Sequence, residues 1–210
     1  HESGADHALG LRELEGGSWE AWDDIKGGPL DPDRVKGART DEMGYVYARE
    51  VYEPSSIETS LEVSGAKPIN TGWVDTNKGD EEHPNYRSRL VAKELRRKQE
   101  RQGITRYDVF SATPPHEAIK YLLSAMVTED EKNSSGELRL MFIDISRAHF
   151  HSPARRRIIV KLPPEMVEGD LTHGSLNKSM YGTRDAAANF ASKVMDVLGN
   201  MQFEIGVFNP

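Results

Sequence analysis

The chain has 210 residues, of which 37% are hydrophobic and 29% charged, so it can bury one sizeable core or two small ones. It contains no cysteine, which excludes a disulfide framework, a thiolate nucleophile and a Cys-type zinc site, and leaves oxygen or histidine to hold any metal. A net charge of −7 argues against a surface that grips nucleic acid all round, although clustered basic residues allow local patches.

No apolar run approaches the ~18 residues of a spanning helix, so no membrane partner is expected. The N-terminus HESGADHALG has no signal-peptide layout, which with the absence of cysteine suggests an intracellular setting. The first residue is not Met, and the expectation is a piece of a longer reading frame.

Residues 1–30 are rich in glycine and acids with little periodicity and read as a flexible acidic tether, with one helical turn around 9–14. Trp19 and Trp22 suit an anchoring contact onto the adjacent domain. From Asp31 the pattern turns helical through about Glu50. Asp31 serves as N-cap, Pro32 takes the first position, and Val35, Ala38, Met43, Val46 and Tyr47 share a face. Residues 54–60 break that helix. A hairpin follows, about 68–95, in which a strand containing Trp73 leads through the turn NKGDEEHP to a second strand NYRSRLVAKEL.

Alternation along the second strand puts Arg87, Arg89, Val91 and Lys93 on one side and Tyr86, Ser88, Leu90 and Ala92 on the other. Three cations on one face guard an exposed edge or form a claw for an anionic ligand. The positive run Arg96, Arg97, Lys98 and Arg101 reads as a solvated turn or short helix. A helix is expected over 117–128, then a polar loop over 129–136.

Next come the apolar residues Leu138, Leu140, Met141, Phe142 and Ile143, read as a buried strand closed by a carboxylate, Asp144. An acid there either caps the following turn or meets a metal ion or a base. A connection containing His149 and His151 leads to a strand at 158–162. The two histidines share a strand face and with Asp144 would mimic a mononuclear metal site, or else are turn residues bonded locally. Arg155, Arg156 and Arg157 read as a solvated turn or as contacts to template phosphates. Gly182 is a turn glycine or permits close approach of a nucleotide, and a helix follows over 185–199.

Four blocks in order carry a family resemblance. WVDTNKGDEEHPNYRSRLVAKEL resembles the fingers hairpin of copia-type retrotransposon reverse transcriptases, with its Y-[KR]-x-R-L-V-A-K strand. YDVFSATPPHEAIKYLLSAM resembles their Y-x-x-x-F-S-P segment and the following helix. MFIDISRAHFHSPARRRIIVKLPPE is similar to M-D-V-K-x-A-F-L-x-G and the strand after it, and LNKSMYGTRDAAANFASKVMDVLGNMQFE to L-x-K-x-L-Y-G-L-K-Q-A-P and its long helix.

The resemblance implies an α+β fold with partial fingers and palm, an antiparallel sheet with helices packed on one face, and a palm beginning at about residue 137. It further implies an RNA-directed DNA polymerase taking RNA template, DNA primer and dNTP. Asp144 and the carbonyl of Ile145 are then ligands of two Mg²⁺ ions, Arg87, Arg89 and Lys93 contact triphosphate and template, and His149, Tyr181 and Gly182 lie near the nucleotide. The family's other two acids stand in a downstream hairpin, and after Asp144 this sequence has no adjacent Asp pair. The expectation is a fragment inactive alone, or a non-enzymatic remnant with weak nucleic-acid affinity. Departures are His149 where an aromatic excludes the 2′-hydroxyl, Asp185-Ala186-Ala187 in place of Q-A-P, and Pro114, Pro115 and Glu117 in a segment that is less rigid and more basic in the family.

Overall fold

The computed structural model describes residues 11–14, 18–64, 67–94, 116–129 and 141–204. The expectations for Arg96, Arg97, Lys98, Arg101, Pro114, Pro115, Leu138 and Leu140 and for the loop at 129–136, apart from Glu129, lie outside them.

Residues expected to form a tether instead make a small antiparallel sheet of β1 (Arg12–Glu13), β2 (Trp19–Trp22) and β3 (Pro29–Leu30). Arg12–Glu13 is strand, not the helical turn expected there. The order comes from Asp23 and Asp24, which are bound to a later strand. Asp23 accepts hydrogen bonds from Ile25 N, Lys26 N, Thr76 Oγ1 and Asn77 N at 2.8–3.0 Å. Asp24 Oδ2 accepts from Asp75 N at 2.7 Å. Burial alone would raise the Asp23 carboxyl, but those donors outweigh it and hold its pKa below the ordinary value.

Helix α1 (Pro32–Ala48) begins where the sequence predicts, with Asp31 Oδ1 accepting from Asp33 N and Arg34 N. Its buried face is Val35, Arg39, Glu42 and Val46, and Tyr47 is exposed. β4 (Tyr52–Ser55) and α2 (Ile57–Ser64) occupy the stretch read as a break. β5 (Ile69–Asn77) and β6 (Tyr86–Ala92) form the expected hairpin, with Trp73 opposite Leu90 and Asn77 opposite Tyr86. Asn77 Oδ1 ties the turn by accepting from Gly79 N and Asn85 N.

The larger sheet has the order β4-β8-β7-β5-β6, where β7 is Ile159–Lys161 and β8 is His173–Leu176. It is not purely antiparallel. β5 and β7 run parallel because the chain returns from β6 by a long excursion that contains α3 (His116–Glu129), and such a crossover permits parallel pairing. A single cluster forms the core beneath this sheet: Val46, Val51, Tyr52, Leu90, Ala92, Phe150, Ile158, Val160, Leu162, Met166, Leu176 and Met180. α4 (Ala186–Asn200) follows the turn at Gly182, close to where it is expected.

Among the described residues, the part of the expected buried strand that precedes Asp144, residues 141–143, is not strand. Residues 141–145 have no regular structure, and Met141, Phe142, Ile143 and Ile145 are exposed. α3 likewise leaves Tyr121, Leu122 and Val127 exposed. An apolar run becomes a strand only when a neighbour accepts its backbone groups, and among the described residues none is paired with this one.

Candidate functional site

The strand β6 alternates as predicted: Ser88, Leu90 and Ala92 are buried, while Arg87 is exposed and Arg89 half-buried. The buried phase is fixed by Leu90 in the core and by Ser88, whose hydroxyl donates to Asp75 at 2.6 Å. Asp75 also receives Arg39 Nη2 at 2.6 Å, and Arg39 Nη1 reaches Glu165 at 2.7 Å. This buried pairing locks α1 across the hairpin, so both elements present their remaining side chains to one opening.

That opening is a cavity of about 190 Å³ lined by Ala38, Asp41, Glu42, Asn85, Tyr86, Arg87, Ser88, Arg89, Arg147 and Tyr181. Arg89 lies over the Tyr181 ring, 5.6 Å from its centroid. Arg147 also lines it; its Nε donates to Glu42 Oε2 at 2.6 Å and its guanidinium stands 4.3 Å from the Tyr45 ring. Burial raises the Tyr181 phenol above its ordinary value and Glu42 adds to that, while Arg89, Arg147 and Arg87 pull it back. Three guanidiniums thus act on one phenol. Among the described residues neither Arg87 nor Arg89 has an ion-pair partner. Such a mouth suits an anion with several oxygens.

A family model described as "Reverse transcriptase (RNA-dependent DNA polymerase)" matches residues 59–208. The chain belongs to the reverse transcriptase family. No curated protein and no solved structure matches it. The reverse transcriptase match takes in the Arg87/Arg89 strand, Arg147 and Tyr181, while α1, which contributes Asp41 and Glu42 to the cavity, precedes the matched residues.

Of the residues predicted for a reverse transcriptase site, Arg87, Arg89 and Tyr181 line the cavity and the rest do not. Lys93 lies beyond the end of β6, with its backbone N donating to Asn70 O and its side chain lying over Gly72. Gly182 adopts φ +83°, and its Cα faces the backbone of Ala92, where an added Cβ would stand 2.0 Å from the carbonyl oxygen. The close approach it permits is to β6. His149 is half-buried, edge-on to Tyr181 at 4.6 Å and Phe190 at 6.1 Å, and does not line the cavity. Burial lowers its pKa, and the backbone at Ala186 opposes that only in part. His151 Nε2 lies 3.2 Å from Ser146 O, a local partner, and 3.3 Å from the hydroxyl of Tyr45 on α1.

Asp144 is exposed beside Ile145, outside the cavity, with no hydrogen bond or ion pair among the described residues. Among those residues no three His, Asp or Glu side chains come together as a metal cage. One exposed carboxylate does not fit two Mg²⁺ ions, which need several hard oxygens between them.

The run Arg155–Arg157 is no simple solvated turn. Arg156 is held by Glu94 through both amino groups at 3.1 and 3.0 Å and by Asp185 at 2.7 Å. Arg155 donates to Ser192 at 2.6 Å. The acid that replaces an amide at 185 is therefore matched by a partly buried cation. Sequence reasoning missed Arg39, Glu42 and Arg147. The available signal was two charged residues in phase with Val35 and Val46 on α1, a position that demands a partner.

Proposed function

We propose that this chain is the nucleotide-receiving part of a copia-type RNA-directed DNA polymerase, its β5–β6 hairpin serving as fingers and the β7–β8 region as the start of the palm. The cavity takes the triphosphate of a dNTP on Arg87 and Arg89, with Tyr181 beside the sugar or base. The observation that carries this reading is the meeting of Arg87 and Arg89 on β6 with Tyr181, far along the sequence from them, around one polar opening inside a reverse transcriptase match.

In this reading RNA template and DNA primer approach over the same basic face, and Mg²⁺-dependent nucleotidyl transfer belongs to an enzyme that supplies further carboxylates beside Asp144. The 210 residues by themselves bind nucleotide without extending a primer. Equilibrium binding tests the first half. A dNTP should bind more tightly than its nucleoside, with affinity falling as salt rises, and Arg87→Ala with Arg89→Ala should weaken it at least about tenfold. Equal binding of dNTP and nucleoside would refute the triphosphate site. Template-dependent synthesis in a primer-extension assay would refute inactivity.

A non-catalytic remnant is the second reading, favoured by the isolation of Asp144 and by the sequestering of Asp185 on Arg156. It predicts weak, salt-sensitive binding of an RNA/DNA hybrid and no discrimination between dNTP and nucleoside.

A further inference from the structure

Arg147 is unusual in its backbone as well as its place. Among the described residues three that are not glycine have positive φ: Glu50, Gln202 and Arg147. Glu50 and Gln202 follow the ends of α1 and α4, where a left-handed residue is a common way to terminate a helix. Arg147 instead precedes the short 3-10 turn Ala148–His151, at φ 51° and ψ 44°, and ends no helix. A left-handed conformation costs an arginine about 1–2 kcal/mol, and such strain persists only where the surroundings impose it.

The surroundings here are Glu42 and Tyr45 on α1. Glu42 has a side chain only 2% exposed and takes Arg147 Nε at 2.6 Å, and Tyr45 supplies a ring face at 4.3 Å. An arginine held through Nε and one face keeps its two terminal amino groups free, and no described residue accepts a hydrogen bond from them. Arg147 lines the same cavity as Arg87 and Arg89 and is 30% exposed in its side chain.

We propose that Arg147, positioned by Glu42 and Tyr45, is a third phosphate-binding residue that contacts a polyphosphate in the same cavity as the β6 arginines. The inference rests on the reading of the cavity as a triphosphate site. It adds that α1, outside the family match, sets the geometry of that site through Arg147.

The test is calorimetric titration of the full chain with inorganic tripolyphosphate across a salt series, together with thermal melting of each variant. Arg147→Ala leaves the buried Glu42 carboxylate without its cation and should melt below wild type; at a temperature where it is folded it should bind at least about tenfold more weakly and flatten the dependence of log affinity on log salt by roughly one charge. Arg155→Ala removes the same charge outside the cavity and should leave affinity and slope unchanged. If Arg147→Ala fails to fold, Arg147→Gln, which keeps the stem and a donor for Glu42, is read by the same criteria. A folded Arg147 variant with affinity within about twofold of wild type, while Arg87→Ala loses binding, overturns this inference and leaves the cavity reading intact. If Arg87→Ala and Arg147→Ala both bind as wild type does, both fall.

Discussion

Replacing Arg156 by leucine tests whether the buried ion cluster at the start of α4 holds the fold. Arg156 is bidentate on Glu94 and also bonds Asp185, and those acids have side chains 3% and 6% exposed. Each has one further donor: Arg184 N at 2.9 Å on Glu94, and Asn189 Nδ2 at 2.9 Å on Asp185. Leucine fills much of the arginine stem's volume but leaves two carboxylates without a cation. Breaking a buried pair in this way costs ~3–5 kcal/mol, and the 24% exposure of Arg156 puts the expectation at the lower end, about 3 kcal/mol. With a urea m-value of about 2 kcal/mol/M, the unfolding midpoint should fall by roughly 1.5 M.

The pH dependence gives a sharper test. Burial would raise the Asp185 carboxyl, but Arg156 and Asn189 outweigh it, so its folded pKa lies below the ordinary 3.8. Its contribution to wild-type stability is therefore present above pH 3.8 and lost as pH falls through the folded value. In Arg156→Leu burial acts on Asp185 unopposed by the cation, its carboxyl moves up, and the penalty is greatest at neutral pH and relieved on acidification. The stability gap between the two proteins should narrow from pH 7 towards about pH 4 in urea melts followed by circular dichroism. Adding Glu94→Gln and Asp185→Asn should recover part of the loss. A gap under about 1 kcal/mol at pH 7, or one that does not change with pH, would refute the reasoning.

Asp23→Asn turns one acceptor oxygen towards donors and should cost about 1–3 kcal/mol, seen as lost amide-exchange protection at Asn77 and along β2. Because the Asp23 pKa is lowered, wild-type β1–β3 should itself loosen as pH falls below 3.8, and the variant should show no such step. Gly182→Ala combines a positive φ with a Cβ 2.0 Å from Ala92 O, and it should destabilise by more than about 1 kcal/mol and weaken dNTP binding, because Tyr181 O accepts from Ala92 N beside it. His149 should titrate below 6.5 by NMR, so that stability rises with pH between its folded and unfolded values, and a pKa at or above 6.5 would contradict its burial against Tyr181 and Phe190.

Local features of this chain were legible without coordinates because they depend on neighbours in sequence. Asp31 caps α1 through the amides two and three residues on, Asn77 and Gly79 close the hairpin turn, and period-two alternation puts Arg87 and Arg89 on one face of β6. The family followed from four ordered blocks, and the match over 59–208 agrees with it.

Tertiary structure alone decided which charges were spent. Arg156, read as solvated or template-facing, is consumed by two acids, one of them 62 residues away in sequence, and Asp23, in a stretch read as tether, is consumed by β5. Asp144, read as the buried end of a strand, stands exposed without a partner among the described residues. The physical reason is that a side chain's charge is neutralised through space, over a few ångströms, whereas periodicity and motif record only distance along the chain. A cation's position in a strand can be counted, but its freedom to meet a ligand depends on which acids the fold has already brought to it.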